Sequence, residues 1–303
     1  MEVRLQSMLW IYRPNAHELL ARKRASGAVD DEVAAWLASL LDRGYAELPA
    51  AVPASLAADF AELFDRVWEA PPAGLQYIDG DGVVGPVSAA ERDRTVRVVS
   101  LHLHSADGAR LLFPPAVMRL LSAVYERPPV CFQSMSFRHG SQQPLHRDTA
   151  YLPLSPDPLG LLASWTALQD VEPGSGELVY YEGSHKIPEF LFGGRSRALS
   201  TGPEQHAAFL EYLERACAQL PRRTFAPRRG DVLVWLSDLV HGGAPVTRPG
   251  LLRRSFVAHF MPLGARPTFY DASREAIVRY GAGFRLRRES ESPTLLRRLA
   301  RAF

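Results

Sequence analysis

Lysine is nearly missing from this chain: of its 35 Lys and Arg residues only Lys23 and Lys186 are lysines. Set against 33 Asp and Glu they leave a formal net charge of +2, too little to drive binding to nucleic acid. The arginine skew, with abundant Ala and Leu, reads as the codon bias of a GC-rich genome, so arginine clusters carry little weight as phosphate sites. Cysteine is scarce too. Cys131 and Cys217 lie among apolar residues, where the default is a buried reduced thiol, and nothing suggests a disulfide framework. No stretch approaches the roughly 18 uninterrupted apolar residues of a membrane span. The opening residues have an apolar run too short for a signal peptide's hydrophobic region, followed by no small-residue cleavage site. A bacterial cytoplasmic location is therefore expected. What is present is 303 residues, 47% hydrophobic, enough for a substantial core.

The first third reads as helical. In DDEVAAWLASLLDRG, Val33, Trp36, Leu37, Leu40 and Leu41 recur at helical spacing behind an aspartate cap, and Gly44 ends the run. SLAADFAELFDRVWEA repeats the pattern behind Ser55 as the expected cap, and PPAVMRLLSAVYERPP makes a further helix. Residues 70–98 read as loops. From about residue 130 the pattern changes to short runs rich in branched and aromatic residues: VCFQSMSFR, LLASWTALQDV, ELVYYEGSH, DVLVWLSDLV and LLRRSFVAHFMP. Strands without βαβ alternation favour a barrel or double-sheet jelly roll of the kind cupins use. One inserted helix is expected at residues 203–217. In the tail, PTLLRRLARAF fits a basic amphipathic helix that caps the fold or meets another subunit, membrane contact being the less favoured reading.

PLHRDTAYLPL poses the functional question. His146 and Asp148 stand two apart, so in extended backbone both side chains reach one side and one common point, such as a metal ion. A third ligand is available in His241, which follows the strand DVLVWLSDLV and precedes two glycines that let the backbone approach closely. Two histidines and a carboxylate on one face suit non-haem Fe(II), because positions stay open for cosubstrate and oxygen. Neither cysteine is near, which argues against a structural zinc site. His102 and His104 compete as a same-face pair but have no carboxylate close by, and they read as a strand packing on the core. His259 reads as packing, with a supporting role behind the site as the alternative. Oxygen activation needs two electrons, and no flavin or nicotinamide fingerprint is present. An α-keto acid can supply them, its far carboxylate held by arginine. Of Arg253 and Arg254, alternation favours Arg253 as the inward one, since Arg254 shares the greasier face with Phe256 and Phe260.

HRD at 146–148, SWTALQDVEPGSGELVYYEGSHK at 164–186, GDVLVW at 230–235, HGGAP at 241–245 and RRSFVAHF at 253–260, in this order, resemble the phytanoyl-CoA dioxygenase family. The resemblance spans roughly residues 40–262. It implies a double-stranded β-helix core (jelly roll, cupin-like), at about 130–262; with the helical N-terminal part at about 1–125, the inserted helices and, outside the resemblance, a helical C-terminal extension at about 263–303, all read from periodicity, the expectation is an α+β fold in one dioxygenase domain. It also implies Fe(II) bound by His146, Asp148 and His241, and 2-oxoglutarate bound by Arg253 with Trp165 and Gln133 in its pocket. The partners are then a small-molecule substrate and O2, with succinate and CO2 released. Because Asp148 is present where halogenase relatives carry a small residue, hydroxylation is the expected outcome. Two readings from other classes are a non-oxidative cupin-type metalloenzyme and a noncatalytic small-molecule binding protein. Departures from the family pattern are Arg147, expected to meet a substrate anion or solvent, and Gly243 in place of a hydroxyl residue.

Overall fold

The computed structural model describes residues 7–199, 202–268 and 275–288. Helices α1 (Ala16–Ala25), α2 (Asp31–Arg43) and α3 (Ala54–Arg66) open it, with strand β1 (Tyr45–Leu48) between the last two. In α2 the Asp30 carboxylate accepts the Val33 N–H at 2.9 Å, and Gly44 stops the helix at φ 88°, a left-handed conformation glycine adopts without strain. Helix α3 departs from expectation: Pro53, not Ser55, precedes it, and its N-terminus has no side-chain cap.

Residues 70–98, expected to be loops, hold three strands: β2 (Gln76–Asp79), β3 (Val84–Pro86) and β4 (Val96–Val99). The Gly, Asp and Pro content marks only their turns. Asp79, for example, accepts the N–H groups of Asp81 and Val83 at the β2–β3 turn. Leu101–His104, expected to be a strand, is a 3-10 turn that follows Ser100 at φ 55°. There His102 is buried with Nδ1 2.7 Å from Ser134 Oγ, a core histidine with a partner. Helices α4 (Gly108–Leu112) and α5 (Pro115–Tyr125) complete the helical part.

The rest is mostly strand: β5 (Pro129–Phe137), the one-turn helix α6 (Asp148–Tyr151), β6 (Leu154–Ser155), β7 (Leu162–Ala167), β8 (Leu178–Tyr181), helix α7 (Pro203–Cys217), β9 (Arg222–Phe225), β10 (Val232–Leu236), β11 (His241–Gly243), β12 (Ser255–Pro262) and β13 (Arg266–Pro267). The large sheet runs β1-β10-β7-β12-β5-β4-β2-β3, each pair antiparallel. A smaller sheet has the order β11-β8-β9, and β13 pairs with β6. Residues 275–288 form a hairpin, β14 (Glu275–Tyr280) and β15 (Gly283–Arg288), joined to β5 through β15. This corrects the expected helical extension: branched and aromatic residues on both sides of Gly281 and Gly283 favour a hairpin. The amphipathic helix expected over the last residues lies outside the described ones.

Alternate residues of the large sheet serve two cores. On β12, Phe256, Ala258 and Phe260 join the helices in one apolar cluster. Val257 and Met261 join Trp165, Leu233 and Trp235, together with Leu178 and Tyr180 of the smaller sheet, in the other. The result is a cupin-like jelly roll with helices outside and a polar-lined interior between the sheets. Among the described residues no helix is long and apolar enough to cross a membrane.

Candidate metal centre

His146 and His241 are brought together by backbone. Each N–H donates to the other's carbonyl, at 2.8 Å from His146 and 3.0 Å from His241, an isolated antiparallel bridge. The two glycines after His241 allow the approach. A Cβ on Gly242 would stand 2.9 Å from the Gln143 carbonyl oxygen, and one on Gly243 2.6 Å from the Gln142 nitrogen. Arg147 is extended (φ −119°, ψ 137°), so His146 and Asp148 project to one side and the Arg147 side chain to the other.

Both imidazoles are oriented by their own loops. His146 Nδ1 lies 2.9 Å from the Pro144 carbonyl and His241 Nδ1 3.0 Å from that of Leu239. A carbonyl can only accept, so Nδ1 carries the proton in both rings and Nε2 presents a lone pair. These Nε2 atoms stand 3.9 Å (His146) and 3.7 Å (His241) from Asp148 Oδ1. The other oxygen, Oδ2, accepts the Trp235 indole N–H at 2.9 Å, which fixes the carboxylate and leaves Oδ1 for the shared point. Two donors that share an ion at about 2.1 Å each lie at most about 4.2 Å apart. Both histidine–aspartate separations meet that limit, the three donor atoms all lie within 4.8 Å of one another, and all three residues are buried, a set suited to a transition-metal ion. Burial, reinforced by the neighbouring charge of His241, pulls the His146 imidazole down to about 3, so it is neutral and able to ligate.

The cavity beside these donors has about 440 Å³ of empty space, the open solvent at its mouth included. Arg253, Trp165, Gln143 and His259 are in its wall, together with Met135, Phe137 and Val257. Arg253 is 2% exposed, and its guanidinium lies 5.4 Å from the Trp165 ring and 5.9 Å from that of Phe137. One N–H donates to the Gly176 carbonyl at 2.9 Å, while Nε has no partner among the described residues. Burial lowers the guanidinium pKa to about 10, and the charge of Glu177 opposes that. The two Glu177 oxygens are themselves engaged by the Gly174 and Gly176 N–H groups. A buried cation with an open donor at one end of the cavity and three converging ligands at the other suits a bound dicarboxylate that also chelates a metal. Arg254 points the opposite way, onto Asp65.

Gln133 is placed differently from Trp165. It is the cross-strand partner of His259 and is not among the cavity-lining residues. Both atoms of its amide are buried without a partner among the described residues, as is Nδ1 of His259. Arg147 corrects the expectation of a substrate anion or solvent. Its side chain is buried and donates to the carbonyls of Ser184 (2.7 Å), Ile187 (3.2 Å) and Pro188 (3.4 Å), tying the ligand loop to the segment before α7. Reasoning from sequence missed Trp235 and Gln143. The signal for the first was an aromatic ending the strand that leads to His241, and for the second an amide three residues before His146.

Comparison with known proteins adds three findings. The family described as phytanoyl-CoA dioxygenase (PhyH) matches residues 41–255. No curated protein matches by sequence. Among solved structures, the chain is similar in fold to the non-heme alpha ketoglutarate dependent epimerase SnoN from nogalamycin biosynthesis (TM-score 0.58, 20% identity, 84% of this chain and 98% of that one). It is likewise similar to the non-heme alpha ketoglutarate dependent carbocyclase SnoK from the same biosynthesis (0.62, 20%, 86% and 97%) and to EctD from S. alaskensis (0.54, 18%, 76% and 77%). SnoN has been crystallised with Fe3+ and alpha ketoglutarate, and EctD with Fe and with 2-oxoglutarate.

Proposed function

The chain belongs to the phytanoyl-CoA dioxygenase family, whose members use Fe(II) and 2-oxoglutarate, and on that premise we propose that it hydroxylates an unactivated C–H bond of a small-molecule substrate. The observation that carries the reading is the pairing of two features across one cavity: His146, Asp148 and His241 converge, and Arg253 is buried with an open donor. When bound, Fe(II) and 2-oxoglutarate supply the electrons for oxygen activation, with release of succinate and CO2.

The side chains of this chain do the rest. His146, Asp148 and His241 hold the metal from one side and leave the opposite side open. Trp235 keeps Asp148 in its ligating orientation. Arg253 takes the far carboxylate of the cosubstrate through paired N–H donors, with Trp165 against the guanidinium face. Met135, Phe137 and Val257 keep water from the cavity wall, which strengthens every polar contact inside. The substrate class is open to a lipid, a peptide-derived metabolite or a glycosylated natural product. Hydroxylation is favoured over halogenation because Asp148 occupies the carboxylate position.

The test is oxygen- and 2-oxoglutarate-dependent turnover of metabolite pools under 18O2, read by mass spectrometry. Hydroxylation gives a product carrying one 18O atom together with succinate. A product of unchanged mass, or one lighter by two hydrogens, formed with succinate would replace hydroxylation by epimerisation or ring closure.

A further inference from the structure

Across the large sheet, Trp235, Ala163, His259 and Gln133 stand in one register row on β10, β7, β12 and β5. Residues directly opposite on paired strands point to the same face, so this row lies on the cavity side. Trp235 at one end carries Asp148 on its indole N–H. His259 lines the cavity, 2% exposed, and its electrostatic neighbours are the ligands Asp148 and His241. Between Trp235 and His259 the row has only the methyl group of Ala163, so space remains at the level of the ligands. Beyond it stand three buried polar atoms without partners among the described residues: Nδ1 of His259 and both amide atoms of Gln133.

Such atoms are costly. A buried donor or acceptor with no partner gives up its hydration without replacement, and the ring beside His259, that of Phe132, offers no polar atom to relieve it. Arg253 already accounts for the far end of a bound dicarboxylate. On that reading of the site, we propose that His259, backed by Gln133, forms a second polar seat that hydrogen-bonds the metal-chelating head of the cosubstrate, the carboxylate next to its keto group. Arg253 reads the tail and His259 the head, so a dicarboxylic keto acid engages both residues and a monocarboxylic one only the head. The alternative occupant of the seat is a polar group of the substrate.

Oxalate separates the ends, because it chelates iron as the head does and has no tail for Arg253. The paired variants are His259→Asn, which keeps a hydrogen-bonding atom near the Nδ1 position, and His259→Leu, which has similar bulk and no such atom. Binding of oxalate and of 2-oxoglutarate to the anaerobic Fe(II) enzyme is measured by calorimetry, with iron content determined alongside. His259→Leu weakens both ligands about tenfold, the loss of one hydrogen bond, and His259→Asn stays within about twofold of the parent. Arg253→Lys weakens 2-oxoglutarate and leaves oxalate unchanged. The proposal is overturned if His259→Leu binds both ligands as the parent does, or if Asn and Leu weaken them equally. One iron per chain in every variant keeps the metal assignment intact in either case, whereas a parent enzyme that binds no iron sinks the oxygenase reading itself.

Discussion

The two faces of the large sheet come from alternate residues of the same strands, yet they differ in what they leave open. Outward, Leu162, Val234, Phe256, Ala258 and Phe260 pack against the helices. Arg254, beside them in sequence, is closed off by Asp65 at 2.6 Å. Inward, Arg253, His259 and Gln133 are as deeply buried, but each has a polar atom without a partner. An apolar face gains stability from what it packs against, whereas a face that holds polar groups dry and open loses some. Retaining it makes physical sense when a ligand completes it.

That contrast can be broken most severely at the metal ligands. His146→Ala or Asp148→Ala should abolish succinate formation and iron binding while circular dichroism and the apo melting temperature stay near those of the parent. An outward substitution should do the reverse. Phe256→Ala removes a fully buried ring that meets Phe60 and should cost about 3–5 kcal/mol in denaturant unfolding, with 2-oxoglutarate affinity of the folded protein unchanged. Arg253→Met should weaken 2-oxoglutarate at least about 30-fold, the lower end for truncating a buried charge pair, and raise its KM more than it lowers kcat. Trp235→Phe keeps an aromatic ring but removes the donor to Asp148, and should lower iron affinity about tenfold in chelator competition. The smallest effect lies far from the site: Asp30→Ala, at the cap of α2, should lower the melting temperature slightly and change nothing in turnover.

Much of this contrast could be read from residue order. Alternation on RRSFVAHF separates Phe256 and Phe260 from Arg253, and the structure puts the two sets on opposite faces. His146, Asp148 and His241 were visible as residue types suited to one ion, because extended backbone makes positions two apart coincide in direction. What escaped was set by partners distant in the chain. Arg147 is satisfied by three backbone carbonyls around residue 187, and a carbonyl leaves no mark in a sequence. The turn at His102 depends on a left-handed Ser100, a conformation that serine seldom adopts and composition does not announce. The strands at 76–99 are short and interrupted by turn residues, so their joining to β5 through β4 is a tertiary effect that overrides local pattern.

The central claim is that three side chains share one ferrous ion while Arg253 holds a keto diacid against it. Anaerobic titration of the purified protein with Fe(II) and 2-oxoglutarate, followed by visible absorption, tests it most directly. A weak charge-transfer band should grow to saturation at one iron and one 2-oxoglutarate per chain, and it should be absent in His146→Ala. Failure of the band to form in the parent protein, or an undiminished band in His146→Ala, would contradict the account.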